Sequence, residues 1–129
     1  MSEPPAAVSD AMYYTEAADL AAVRAFVRSH ALAFGLLPAR TDLLLLAVTE
    51  LATNTLQHTT GGGRIRVWAE PDQIVCDVLD QGPLRGSAPV MPPANALGGR
   101  GLAIVERICD EVTVTADRDG TLVRLRLRF

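Results

Sequence analysis

"TDLLLLAVTELATNTLQHT", Thr41–Thr59, is apolar through its first half and then places Glu50, Asn54 and His58 at intervals of four. An α-helix turns about 100° per residue, so a step of four returns to within about 40° of its starting direction. The three polar side chains therefore share one stripe of a helix whose other faces are largely apolar. Two readings are open. The stripe is the wet edge of an amphipathic helix, which the neighbouring Thr49, Thr53, Thr55 and Gln57 favour. Or it is a working face that presents an acid, an amide and an imidazole. Asn is a poor residue for a helix interior, so Asn54 asks for a reason.

The flanking sequence sets this helix in a fold. Pro38 suits its first turn, and "TTGGG" ends it near Gln57. A helix over about 16–34 precedes it, with Thr15 as N-cap, an apolar face of Leu20, Val23, Val27, Ala31 and Phe34, and Gly35 as its stop. Arg24 and Arg28 lie together on another face of that helix, and His30 reads as structural. Residues 1–11, rich in Pro, Ala and Ser, read as a flexible N-terminus. Residues 12–129 are then expected to form one domain.

Two strands follow. Ile65, Val67 and Ala69 alternate with Arg64, Arg66 and Trp68 over Arg64–Glu70, and "PD" at 71–72 makes the turn. Over Gln73–Asp80, Ile74, Cys76 and Val78 share one face, and Asp80 continues it. Residues 81–97, "QGPLRGSAPVMPPANAL", hold four prolines and two glycines without a period, which reads as a long loop or lid. "GGRG" at 98–101 opens a short helix to about Cys109. Strands Glu111–Ala116 and Leu122–Arg128 end the chain. Hairpin-spaced strands with separate helices predict an α/β (α+β) two-layer sandwich, a mainly antiparallel sheet with helices on one face. The other face, carrying Arg64, Arg66, Trp68, Asp77, Thr113, Thr115, Arg124, Arg126 and Arg128, is expected to be solvated.

Composition narrows the chemistry. All twelve basic residues are arginine, so neither a P-loop nor the strand lysine of a eukaryotic-type protein kinase is present. Phosphate contacts must come from backbone amides, arginine or metal. The net charge of −3 argues against nucleic acid as a partner. Cys76 and Cys109 lack metal-type spacing and read as two buried thiols in a reduced, cytoplasmic setting. No apolar run approaches the ~20 residues that span a bilayer, and no secretory signal is expected.

Three features carry chemistry. Asp80 sits on a core face, where an unpaired carboxylate costs several kcal/mol. It needs a donor, such as the exocyclic amine of adenine, unless it only begins the turn in "DQGP". The glycines of "GGRGLAIVERI" leave the first amides of a helix open to phosphate, with Arg100 as a second contact; the plainer alternative is a linker. On the stripe, Glu50 can act as general base and Asn54 can offer its amide oxygen to Mg²⁺. His58 can touch phosphate or cap its helix.

In this order the motifs resemble a known family. "ELATNTLQH" resembles the N-box of the GHKL (Bergerat-fold) ATP-binding superfamily, "VLDQGP" its DxG box, "GGRGL" its second glycine box, and "GTLVRLRL" its final GT-plus-strand element. The resemblance runs from about residue 14 to the end. It is nearest to the stand-alone anti-sigma-factor serine kinases of the RsbW/SpoIIAB type, whose first helix carries a pattern similar to "AAVRAFV". The resemblance implies ATP and Mg²⁺ as cofactors, Glu50 as base, Asn54 as metal ligand, and Asp80 at the adenine amine, assisted by Thr121. Gly82 would line the base pocket, and Gly99, Arg100, Gly101 and Leu102 would form the phosphate end of a lid over about 81–100. It implies phosphorylation of a serine on a STAS-type antagonist, a sigma factor as the other partner, and a possible homodimer. The outer sheet face and the first helix are the candidate interfaces. A non-catalytic ATP-gated binder and a detached histidine-kinase catalytic domain are the alternatives. Thr55 departs mildly from relatives that carry a small apolar residue there. Arg85 is either a γ-phosphate contact or a solvated side chain.

Overall fold

The structure, a computed structural model, describes residues 10–58, 61–80, 100–117 and 120–129, and of residues 58, 100–102 and 117 the backbone alone. Five strands, β1 (Asp10–Tyr14), β2 (Gly63–Glu70), β3 (Gln73–Asp80), β4 (Glu111–Asp117) and β5 (Gly120–Arg128), form one sheet in the order β1-β2-β3-β5-β4. Every pairing is antiparallel. Three helices, α1 (Leu20–Ala33), α2 (Pro38–His58) and α3 (Arg100–Ile108), cover one face. The expected two-layer sandwich is the observed one.

The core lies between the layers. Val23, Val27 and Ala31 of α1 and Leu44, Val48, Leu51 and Ala52 of α2 meet Ile65, Val67, Ile74, Cys76, Val78, Val123, Leu125 and Leu127 of the sheet. These are the inward members of each period-2 and period-3.6 pattern, as the alternation requires. Helix α1 ends in a Schellman turn. Gly35, at φ 101°, donates its N–H to the Leu32 carbonyl, and the Leu36 N–H goes to the Ala31 carbonyl. Buried Leu36 then starts the short link to Pro38, the first residue of α2.

Two local expectations need correction. Residues 10 and 11 belong to β1, where they pair with Val67 and Arg66, rather than to the N-terminal segment. Thr15 does not cap α1. A single 3₁₀ turn, Ala17–Asp19, precedes the helix, and the Asp19 carboxylate reaches back to accept from the Thr15 and Glu16 backbone N–H groups at 2.8 and 3.2 Å. A carboxylate is the stronger acceptor, and it satisfies two orphan donors at once.

The third correction concerns the outer sheet face. Its rim is polar and exposed, as at Thr113 and Thr115. Its centre is dry: Trp68, Val75, Asp77 and Arg124 are each 2% exposed or less. Arg124 donates from Nε to Asp77 Oδ1 at 2.7 Å and from Nη2 to Oδ2 at 2.9 Å, while Arg66 Nη2 donates to Oδ2 at 2.6 Å. The Arg124 guanidinium also stands 5.0 Å from the Trp68 ring centroid. Beside this cluster Arg126 pairs with Glu70 at 3.0 Å. Parity put these residues on the outer face correctly. Pairing among them, not solvation, satisfies their charges.

Arg40 closes the fold at the opposite end. Its Nε donates to the Arg128 carbonyl and its Nη2 to Asp110 Oδ2, which also accepts from the Arg128 N–H at 2.7 Å. The start of α2, the α3–β4 turn and the end of β5 are thus tied by one side chain.

Candidate functional site

The C-terminal half of α2 reaches the end of β3. Helix α2 puts Leu44, Leu51 and Thr55 against the sheet at steps of seven and four, so Thr55 continues the buried row. Its neighbour Asn54 is 9% exposed and Glu50 is half-buried. The stripe is therefore not a wet edge at Asn54. His58 ends α2, with its side chain outside the described residues.

Asp80 is the last residue of β3 and is half-buried. Thr55 Oγ1 donates to Asp80 Oδ1 at 2.6 Å, joining helix and strand end across 25 residues of sequence. The same hydroxyl lies 3.1 Å from the Leu51 carbonyl. A hydroxyl has one proton, and the shorter, charged acceptor holds it more strongly. Asp80 thus has a protein donor as well as any that a ligand would bring.

Thr121 is buried on β5. Leu79 pairs with Leu122 and Val78 with Val123, so Asp80 and Thr121 sit at the same end of adjacent strands, on the inward face. Gly120 makes this approach feasible. Its φ is 145°, and a Cβ there would collide with the Asp80 carbonyl oxygen. The "GT" pair of β5 is a spacer followed by a buried hydroxyl.

Tyr14 completes this corner from β1. It is 1% exposed and lies across Gly63, where a Cβ would run into its hydroxyl. Gly63 pairs with both Tyr14 and Asp80. Burial raises the Tyr14 pKa; Thr55 pulls it the other way, and the Asp80 and Cys76 charges add to the rise. The hydroxyl is near enough to Thr55 to feel it, yet among the described residues no group meets it with hydrogen-bond geometry. That leaves a buried, unsatisfied O–H beside the strand-end carboxylate.

Of the sequence-predicted residues, Glu50, Asn54, Asp80 and Thr121 lie on the elements that meet here. Arg100, Gly101 and Leu102 form the first turn of α3, described by backbone alone, and α3 packs along α2. Gly82, Arg85 and Gly99 lie outside the described residues. Sequence reasoning missed Tyr14 and Gly63 and undervalued Thr55. The spacing Leu51–Thr55 on the buried row was the available signal. An open groove elsewhere, between α2 and α3, is lined by Arg40, Leu43, Leu46, Ile104 and Arg107 and contains none of these residues.

An antiparallel sheet whose strand ends carry a carboxylate and a buried threonine, with helices on one face, is an α/β two-layer sandwich. The family follows from comparison: residues 14–127 match the model of the histidine kinase-like ATPase domain, and the chain belongs to that family. It is thereby a GHKL-type, ATP-binding domain. Its fold is similar to a crystal structure of the RsbU and RsbW domains of Rv1364c from Mycobacterium tuberculosis. That match has a TM-score of 0.71 at 18% identity and covers 93% of this chain and 32% of the other. The chain thus spans about a third of that relative's length, and the likeness speaks for the fold. Among curated proteins, none matches the sequence. No helix among the described residues is long and apolar enough to cross a membrane.

Proposed function

We propose that residues 10–129 form one MgATP-binding unit that phosphorylates a serine of a small STAS-type antagonist and otherwise holds a sigma factor, acting in the cytoplasm. The observation that supports it best is the Thr55–Asp80 hydrogen bond, which ties the part of α2 that carries the polar stripe to the strand-end carboxylate. The chemistry needs those two features side by side.

In this reading Asp80 accepts from the adenine 6-amino group, with Thr121 beside it and Gly82 along the base. Asn54 offers its amide oxygen to Mg²⁺, and His58, Gly99, Arg100, Gly101 and Leu102 attend the phosphates. Among the described residues no group of three His, Cys, Asp or Glu side chains could cage a metal. One amide oxygen suits Mg²⁺, which is commonly held by one or two protein oxygens together with substrate phosphates. When bound, the ion would neutralise phosphate charge. Glu50, one helical turn before Asn54, takes the proton of the acceptor serine as its oxygen bonds to the γ-phosphorus and the bridging P–O bond breaks to release ADP. Positioning and charge stabilisation carry most of such a transfer.

Calorimetry with MgATP tests the site. Wild type is expected to bind in a magnesium-dependent way, and Asp80→Asn and Asn54→Ala to lose that binding. No binding by wild type would refute the reading. Transfer of labelled γ-phosphate to candidate antagonists then tests the kinase step. Glu50→Ala should keep ATP and lose transfer. Undiminished partner release in that variant would favour an ATP-gated binder instead.

A further inference from the structure

We infer that Thr55 is a positioning residue for the base-reading carboxylate: it pins Asp80 Oδ1 and so fixes the direction from which the carboxylate accepts a 6-amino purine. This rests on the MgATP reading above and goes beyond it, because it assigns base discrimination to a residue of α2 rather than to Asp80 alone.

Three observations support it. Thr55 is 5% exposed and its hydroxyl is 2.6 Å from Asp80 Oδ1. A threonine is not what this helix position needs for stability. β-Branched residues are mediocre helix formers, and a buried hydroxyl has to find an acceptor. A threonine in a helix ordinarily satisfies its hydroxyl by back-bonding to the carbonyl four residues earlier. Here that carbonyl, of Leu51, is the more distant acceptor at 3.1 Å. The carboxylate is the hydroxyl's shortest and only charged contact among those described, ahead of the Leu51 carbonyl and the neighbouring Tyr14.

The consequence concerns specificity. An aspartate at a strand end can rotate about its side-chain bonds, and each orientation offers a ligand a different lone pair. With Oδ1 held by a donor on a rigid helix, the carboxylate keeps one orientation. A base that donates to it is bound; one that presents a carbonyl, as guanine does at the same ring position, meets an acceptor with an acceptor. The second hydroxyl of this corner, on Tyr14, is buried beside Gly63. It does not replace Thr55, because it makes no hydrogen bond to the carboxylate.

The test compares ATP with purine riboside triphosphate, which lacks the 6-amino group, by calorimetry on wild type, Thr55→Val and Thr55→Ser, with circular dichroism to verify folding. Valine keeps the shape and removes the donor; serine keeps the donor. Thr55→Val is expected to weaken MgATP about tenfold, as for loss of a hydrogen bond to a charged group. It should change affinity for the amine-free nucleotide less than about twofold. Thr55→Ser should return ATP affinity to near wild type. Equal weakening of both nucleotides, or unchanged ATP affinity in Thr55→Val, would overturn the positioning role while leaving the ATP site standing. Wild type that binds neither nucleotide would overturn the MgATP reading and this inference with it.

Discussion

Removing Asp77 should cost this protein a large share of its stability, although it lies on the sheet face that carries no helices. Asp77 is fully buried, and it accepts three charged contacts, two from Arg124 and one from Arg66. Its partners differ in what they can do without it. Arg66 keeps 15% of its side chain exposed and can turn to water; Arg124 keeps 2% and cannot. In Asp77→Ala the main loss therefore comes from a buried guanidinium deprived of its carboxylate, about 3–5 kcal/mol. Against a total of about 5–15 kcal/mol for a domain of this size, that approaches unfolding. Asp77→Asn keeps the shape and one acceptor, so it should lose less, about 2 kcal/mol. The decisive comparison is the double variant Asp77→Leu/Arg124→Leu. It removes both charges, and should lie within about 2 kcal/mol of wild type. Urea unfolding followed by circular dichroism, with constant slope as a check on two-state behaviour, measures all three. If Asp77→Ala costs under about 1 kcal/mol, Arg124 reaches water unaided. If the double variant costs the sum of the singles, the pair is not coupled.

Further outcomes follow from the site corner and the thiols. Tyr14→Phe deletes a buried hydroxyl that has no hydrogen bond, and should raise ligand-free stability by about 1 kcal/mol in the same urea assay; a loss would mean the hydroxyl is satisfied in solution. Gly120→Ala forces a side chain onto a φ of 145° against the Asp80 carbonyl, and should cost about 1–3 kcal/mol and weaken ATP binding; unchanged affinity in a folded variant would detach β5 from the site. Alkaline pH should destabilise the fold. Burial pushes the Cys109 thiol up to about 12, and also raises Cys76 and Tyr14. The unfolded thiols ionise first, so stability is full below about pH 9 and falls as pH rises toward 12. A urea midpoint that stays flat from pH 8 to 11 would contradict that burial.

Much of the architecture was legible because it is local. The hairpin Gln73–Asp80 against Arg64–Glu70 is fixed by its two-residue turn, and parity then puts Ile74, Cys76, Val78 and Asp80 on one face, as observed. In this hairpin Arg66 stands opposite Asp77. What it could not supply was Arg124, which meets Asp77 only because β5 inserts between β3 and β4. That pairing depends on a crossover through α3, and no local pattern encodes it. The expectation of a solvated face failed for this reason. β1 was missed for another: five residues with two apolar inward side chains make too short an alternation, and the strand is held by its pairing with β2 rather than by its own pattern.

The polar stripe of α2 shows the same division in the site. Spacing alone could say that Glu50, Asn54 and His58 share a side, but not what lies opposite. The hydrogen bond that shows what lies opposite comes from Thr55, off the stripe by one residue and read from sequence as a mild change. One residue is about 100° of helix, which turns the Thr55 side chain inward to the strand end while Glu50 stays half-buried. In the proposed reading the helix would offer two adjacent surfaces to one ligand, Thr55 acting on the base through Asp80 and the stripe facing the phosphates. Base selection and phosphate chemistry are then separable by substitution on a single helix. Thr55→Val should alter which nucleotide binds, and Glu50→Ala what becomes of the γ-phosphate, without either acting through the other.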